Sequence, residues 1–133
     1  MSKINDYAKF VDTTTSREST NFMSFINSTS KLEAEGLVNV PRVLTSAIGM
    51  LAESGEFTEI IKKCIFQGKP LTEAERFHMK RELGDILWYW IQGCIALDYT
   101  PDEVMDENIK KLEARYPNGF EVARSETREV GDI

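Results

Sequence analysis

Two carboxylate couplets, Glu53-x-x-Glu56 and Glu82-x-x-Asp85, each interrupt an apolar stretch of helical periodicity, and they lie at mirrored distances from the helix breaker Gly68-Lys69-Pro70. Glu56 stands twelve residues before Gly68, and Glu82 twelve residues after Pro70. A chain that folds back at this breaker as an antiparallel helical hairpin carries both couplets about 18 Å from the turn, at 1.5 Å of rise per residue. Glu56 then faces Glu82, and Glu53 faces Asp85. Four facing carboxylates repel one another unless a cation lies among them. The pattern therefore predicts a hairpin with a metal-binding centre made of Glu53, Glu56, Glu82 and Asp85.

The rest of the chain reads as helix and loop. Ile4, Tyr7, Phe10 and Val11 form a short apolar pattern, and the polar run from Asp12 to Ser19 reads as a loop. Phe22, Phe25, Ile26 and Leu32 form a second segment, broken by Asn27-Ser-Thr-Ser30 and ended by Gly36. The third opens near Pro41 with Asn39 as its cap and runs to Cys64 and Ile65 at steps of three and four residues. Thr72-x-x-Glu75 is a capping box for the fourth helix, and Thr100-Pro101-x-Glu103 one for the fifth. From Ile86 to Leu97 the fourth helix is apolar nearly all round, which predicts burial on every side and a subunit interface. Gly55 and Gly84, inside the couplets, are expected to let the two backbones approach. The expected fold is all-α, a bundle of about four to five helices. It comprises a single domain over 1–119 and a charged C-terminal tail over 120–133.

Composition removes several function classes. A formal charge of −6 argues against a nucleic-acid groove, which needs a basic stripe to meet phosphates. A nucleotide stays admissible, because a carboxylate-held metal supplies the missing positive charge. The longest apolar run is too short to cross a bilayer, and the first residues lack a secretory h-region, so no membrane association and a cytoplasmic location are expected. Cys64 and Cys94 are expected to be free thiols in apolar helical segments.

Couplet spacing alone is weak evidence, because Glu56/Glu59, Glu103/Asp106 and Glu126/Glu129 share it. The apolar setting and the symmetry about one turn distinguish the chosen pairs. Each offers two oxygen ligands from one helix face, an arrangement that Mg²⁺ or Mn²⁺ accepts alongside water and phosphates. A di-iron bundle wants two Glu-x-x-His motifs; Glu75-x-x-His78 fits once, and His78 is the sole histidine. His78 has no evident partner, which leaves a Ser-His-Asp or Cys-His arrangement unsupported. Tyr89 shares the face of Asp85 and could border a nucleobase, while Trp88 and Trp90 read as core or interface. Asn108 and Lys111 lie three apart on the fifth helix, within reach of phosphate or sugar.

Taken together, Leu51-Ala-Glu-Ser-Gly-Glu56, Ile60-Ile-Lys-Lys63, Lys80-Arg-Glu-Leu-Gly-Asp-Ile-Leu-Trp-Tyr89 and Asn108-Ile-Lys-Lys-Leu-Glu-Ala-Arg-Tyr-Pro117 resemble the MazG-like all-α nucleoside triphosphate pyrophosphohydrolases. The likeness spans about Ala47 to Phe120, with 25 residues between the couplets. It implies Mg²⁺-dependent cleavage of a (d)NTP between the α- and β-phosphates, giving a (d)NMP and pyrophosphate. It implies Glu53, Glu56, Glu82 and Asp85 as catalytic metal ligands, with one of them or Glu59 handling the attacking water. Tyr89, Asn108 and Lys111, with Lys62 or Lys63, become the implied substrate contacts. Dimers or tetramers are implied as well. The alternative is a non-catalytic helical module that binds metal or a partner.

Overall fold

The computed structural model describes residues 2–127, and among them no β-strand forms; an isolated bridge joins Pro117 and Gly119. Seven helices follow in order, of which Arg17–Thr20 and Val122–Glu126 are single turns, so five longer helices carry the fold. The all-α expectation holds. No helix among the described residues is long and apolar enough to cross a membrane. The chain divides after Pro41 into two compact units.

The first unit holds α1 (Lys3–Thr14), α2 (Arg17–Thr20) and α3 (Phe22–Ala34). Its hydroxyl-rich stretches are more helical than expected. The loop anticipated over 12–19 instead completes α1 and begins α2. Thr13 and Thr14 donate their hydroxyls to the Phe10 carbonyl at 2.9 Å each, bonding back along the helix rather than unwinding it. Ser16 then caps α2 by accepting from the Ser19 amide at 3.3 Å. The break expected at Asn27–Ser30 is also absent. Thr29 back-bonds to the carbonyls of Phe25 and Ile26 at 3.0 Å, and α3 runs through. Asn21 closes α2 and caps α3, its side-chain oxygen accepting from the Ser24 amide at 2.9 Å.

The second unit is built on α4 (Val40–Gln67), whose first two residues precede the boundary, and α5 (Glu73–Ala96). Pro41 sits in the first turn of α4, where its missing N–H is harmless. Gly68, at φ +65°, takes the left-handed conformation that ends α4, and the Lys69 amide bonds back to the Lys63 carbonyl at 3.3 Å. Both capping boxes form. The Glu75 carboxylate accepts from the Thr72 amide at 3.3 Å and from its hydroxyl. On α6 (Pro101–Arg115), Glu103 accepts from the Thr100 amide at 2.7 Å while Thr100 Oγ1 accepts from the Glu103 amide at 3.2 Å. These bonds hold both glutamates ionised, below the ordinary carboxyl value. A short α7 (Val122–Glu126) forms within the expected tail; Arg124 donates to the Arg115 carbonyl at 3.4 Å and pairs with Glu121 at 3.4 Å. Residues 128–133 of that tail lie outside the described residues.

Helices α4 and α5 pack antiparallel, and the glycines that permit this differ from those expected. A β-carbon at Gly55 or Gly84 would meet nothing within 4 Å. At Gly49 it would overlap the Tyr89 ring, and at Gly93 it would lie 2.7 Å from the Ser46 hydroxyl. Ser46, almost wholly buried, donates a 2.7 Å bond to the Tyr89 carbonyl. Close approach therefore occurs one to two turns away from the couplets, at the end of the hairpin remote from Gly68. Gly49→Ala is expected to destabilise the protein by about 1–3 kcal/mol through overpacking. Gly55→Ala, in open space inside a helix, should instead add about 0.5–1 kcal/mol. Urea unfolding of the two variants reads the opposite signs, and a matching response would contradict this packing.

A single chain buries the apolar half of α5 only in part. Among the described residues the buried hydrophobic side chains are Val40, Cys94 and Ala96. Leu87 and Trp88 are more than half exposed, contrary to the burial expected on every side, because α4 and α6 cover only part of the helix. Cys64 is half-buried and Cys94 buried, both as free thiols.

Candidate metal centre

The antiparallel packing of α4 against α5 sets the order of facing residues: as the α4 number rises from 46 through 53 to 56, the α5 partner falls from 89 through 85 and 82 to 78. Ligand atoms of Glu53, Glu82 and Asp85 all lie within 4.8 Å of one another. A second group, Glu56, His78 and Glu82, meets the same distance. Glu82 belongs to both. It is 5 % exposed, a carboxylate buried in a chain that buries little else, and it stands at the centre of the cluster. Glu53 is half-buried, while Glu56 and Asp85 are open to solvent.

The electrostatics are those of crowded like charges. Desolvation raises the Glu53 carboxyl above its ordinary value. A hydrogen bond with Glu82 adds to this, as does the repulsion of Glu56, Glu82 and Asp85. A cation would relieve that repulsion. The donor set, all oxygen in the first group, fits Mg²⁺ or Mn²⁺.

His78 does have a partner. Its Nε2 lies 2.8 Å from Glu82 Oε1, one helical turn along α5. The sequence carries this signal, since residues four apart on a helix share a face, although the pair is not a Glu-x-x-His motif.

Of the other acidic residues at the same spacing, Glu59 and Glu103 are engaged elsewhere. Glu59 pairs with Lys62 and, at 3.3 Å, with Lys63; these hydrogen bonds hold it below the ordinary carboxyl value. Glu103 is committed to its cap. Of the expected substrate contacts, Tyr89 is half-buried, its ring laid against Gly49 and edge-on to Trp88 at 4.9 Å. Asn108 and Lys111 are exposed and line an open cleft of about 820 Å³ along α6, with Trp90, Tyr99, Lys110 and the acidic Glu103, Asp106 and Glu107. None of the four carboxylates lines this cleft.

Residues 43–120 match the family model described as the MazG nucleotide pyrophosphohydrolase domain. The chain is also similar to the Gene 37 protein of Mycobacterium phage L5, 34% identical over 74 residues, which cover 54% of this chain and 64% of that protein. The chain thus spans somewhat under two thirds of the length of that relative. No solved structure matches it.

Proposed function

The chain belongs to the MazG nucleotide pyrophosphohydrolase family, and from that premise we propose that it cleaves a (d)NTP between the α- and β-phosphates, releasing a (d)NMP and pyrophosphate in a Mg²⁺-dependent reaction. The observation that carries this reading is the buried Glu82 carboxylate, gathered with those of Glu53 and Asp85 across the α4–α5 hairpin and adjoined by Glu56.

Glu53, Glu56, Glu82 and Asp85 would hold the Mg²⁺. The chemistry such a cation supplies is neutralisation of triphosphate charge and acidification of a water. The protein's own part is to fix that charge. Glu82 is immobilised by burial and by its bonds to Glu53 and His78, whereas the exposed Glu56 and Asp85 leave the cluster open to a ligand. Glu59, ionised and held by two lysines, is a poor proton acceptor, which leaves that task among the four cluster carboxylates. Lys111 and Asn108 would meet phosphate oxygens, Lys110 being paired with Glu107 at 3.9 Å, and Trp90 and Tyr99 offer apolar surface to a base. The test is incubation with a panel of (d)NTPs and Mg²⁺, followed by product identification. Monophosphate with pyrophosphate is expected. Diphosphate with phosphate contradicts the reading, and no product favours a non-catalytic module.

That none of the four carboxylates lines the α6 cleft supports a homo-oligomeric enzyme, dimer or tetramer, whose site is completed by a second copy. Apolar side chains left outside support it too: Leu44, Ile48 and Leu51 follow helical spacing on α4, as do Leu83, Leu87 and Trp88 on α5. Light scattering should then report a multiple of the 15.2 kDa chain mass. Leu51→Glu, at a side chain 77% exposed in the single chain, should lower that mass without loss of helicity. A monomeric wild type would overturn the shared site.

A further inference from the structure

Resting on the reading of the cluster as a cation site, we infer that His78 is itself a metal ligand, forming with Glu56 and Glu82 a second cation position that adjoins the all-oxygen one and prefers a first-row transition ion to Mg²⁺.

The argument starts from distances. Two ligand atoms at 2.1 Å from one ion, set at right angles, are separated by about 3.0 Å. His78 Nε2 and Glu82 Oε1 are 2.8 Å apart, close to that separation. With Glu56 they form one of two ligand groups that share Glu82. A carboxylate has two oxygens, so Glu82 can serve both groups as a bridge. Paired cations about 3.5–4 Å apart are a recurrent arrangement in phosphoryl chemistry.

The ligand types then assign the ion. Glu53, Glu82 and Asp85 offer oxygen alone, the set a hard cation prefers. The second group replaces one oxygen by an imidazole nitrogen, which favours the later divalent ions over Mg²⁺. His78 is well exposed, at 56% of its side chain, so its ring reaches the cluster from the solvent side.

The sequence makes the test specific, because His78 is the sole histidine and any imidazole coupling has one source. Mn²⁺ is titrated into tag-free, full-length protein without nucleotide. Bound ions are counted from the free-ion EPR signal, and ¹⁴N coupling is read by electron spin echo modulation. The wild type is expected to bind two Mn²⁺ per chain and to show ¹⁴N modulation. His78→Gln should bind one and show none, the affinity of the lost equivalent falling about a hundredfold or more. Asp85→Asn should weaken the other position and keep the nitrogen signal. Bound Mn²⁺ without ¹⁴N coupling in the wild type overturns this inference and leaves the proposed hydrolysis standing, as does a single equivalent of any kind. Failure to bind Mn²⁺ at all overturns both. Circular dichroism confirms that each variant keeps its helices.

Discussion

Glu82→Gln is expected to lower the rate of pyrophosphate release at least about a thousandfold, equivalent to about 4 kcal/mol of lost transition-state stabilisation. The expectation is this large because Glu82 is the one carboxylate common to both ligand groups and the one that is buried. A neutral amide there removes charge from the centre of the cluster while keeping its size. It also removes a repulsive partner of Glu53, so the fold should survive. The check is a pyrophosphate-release assay at saturating Mg²⁺, paired with thermal unfolding of the same sample. Turnover within tenfold of wild type in a folded variant would sink the assignment of Glu82.

The second large effect concerns stability, and its sign reverses with metal. Without a cation, Glu53 carries a carboxyl raised above its ordinary 4.5 by desolvation, by its bond with Glu82 and by like charge. A carboxyl raised in the folded state binds more protons folded than unfolded. Stability of the metal-free protein should therefore fall as pH rises from about 4.5 through the raised value. Glu53→Gln removes this loss, so the metal-free variant should melt no lower than wild type at neutral pH. Added Mg²⁺ or Mn²⁺ inverts the comparison. At a hundred times its dissociation constant, a cation that binds only the folded state adds about 2.7 kcal/mol. In a chain of this length that is an increase in Tm of roughly 10 °C. The wild type should show this increase and Glu53→Gln should lose most of it. Differential scanning calorimetry with metal and with chelator measures all four conditions, and equal cation-induced shifts in both proteins would remove Glu53 from the ligand set.

How much of this was legible beforehand follows from the range of the interactions. The capping boxes at Thr72–Glu75 and Thr100–Glu103 join residues three apart, so the sequence contains all their parts. The bond between His78 and Glu82 is equally local and could have been read from the spacing. The hydroxyl-rich turns of α1 and α3 read as breaks in the sequence yet fold as helix, because Ser and Thr that favour caps can also back-bond within a helix. By contrast, the glycines at which the hairpin closes differ from those expected, for a non-local reason. Whether Gly49 or Gly55 faces a neighbour depends on where Tyr89 lands across the interface.

The sequence alone determined that the couplets would meet. Helical rise is constant, and equal counts from Gly68-Lys69-Pro70 bring Glu53 and Glu56 level with Glu82 and Asp85 in an antiparallel pair of straight helices. Only the tertiary structure decided which carboxylate stands at the centre. Burial depends on the rotation of each helix about its axis, set by the fit of Tyr89 over Gly49 and of Ser46 beside Gly93. That rotation turns Glu82 inward, to the point where both ligand groups overlap, and leaves Glu56 and Asp85 at the solvent edge.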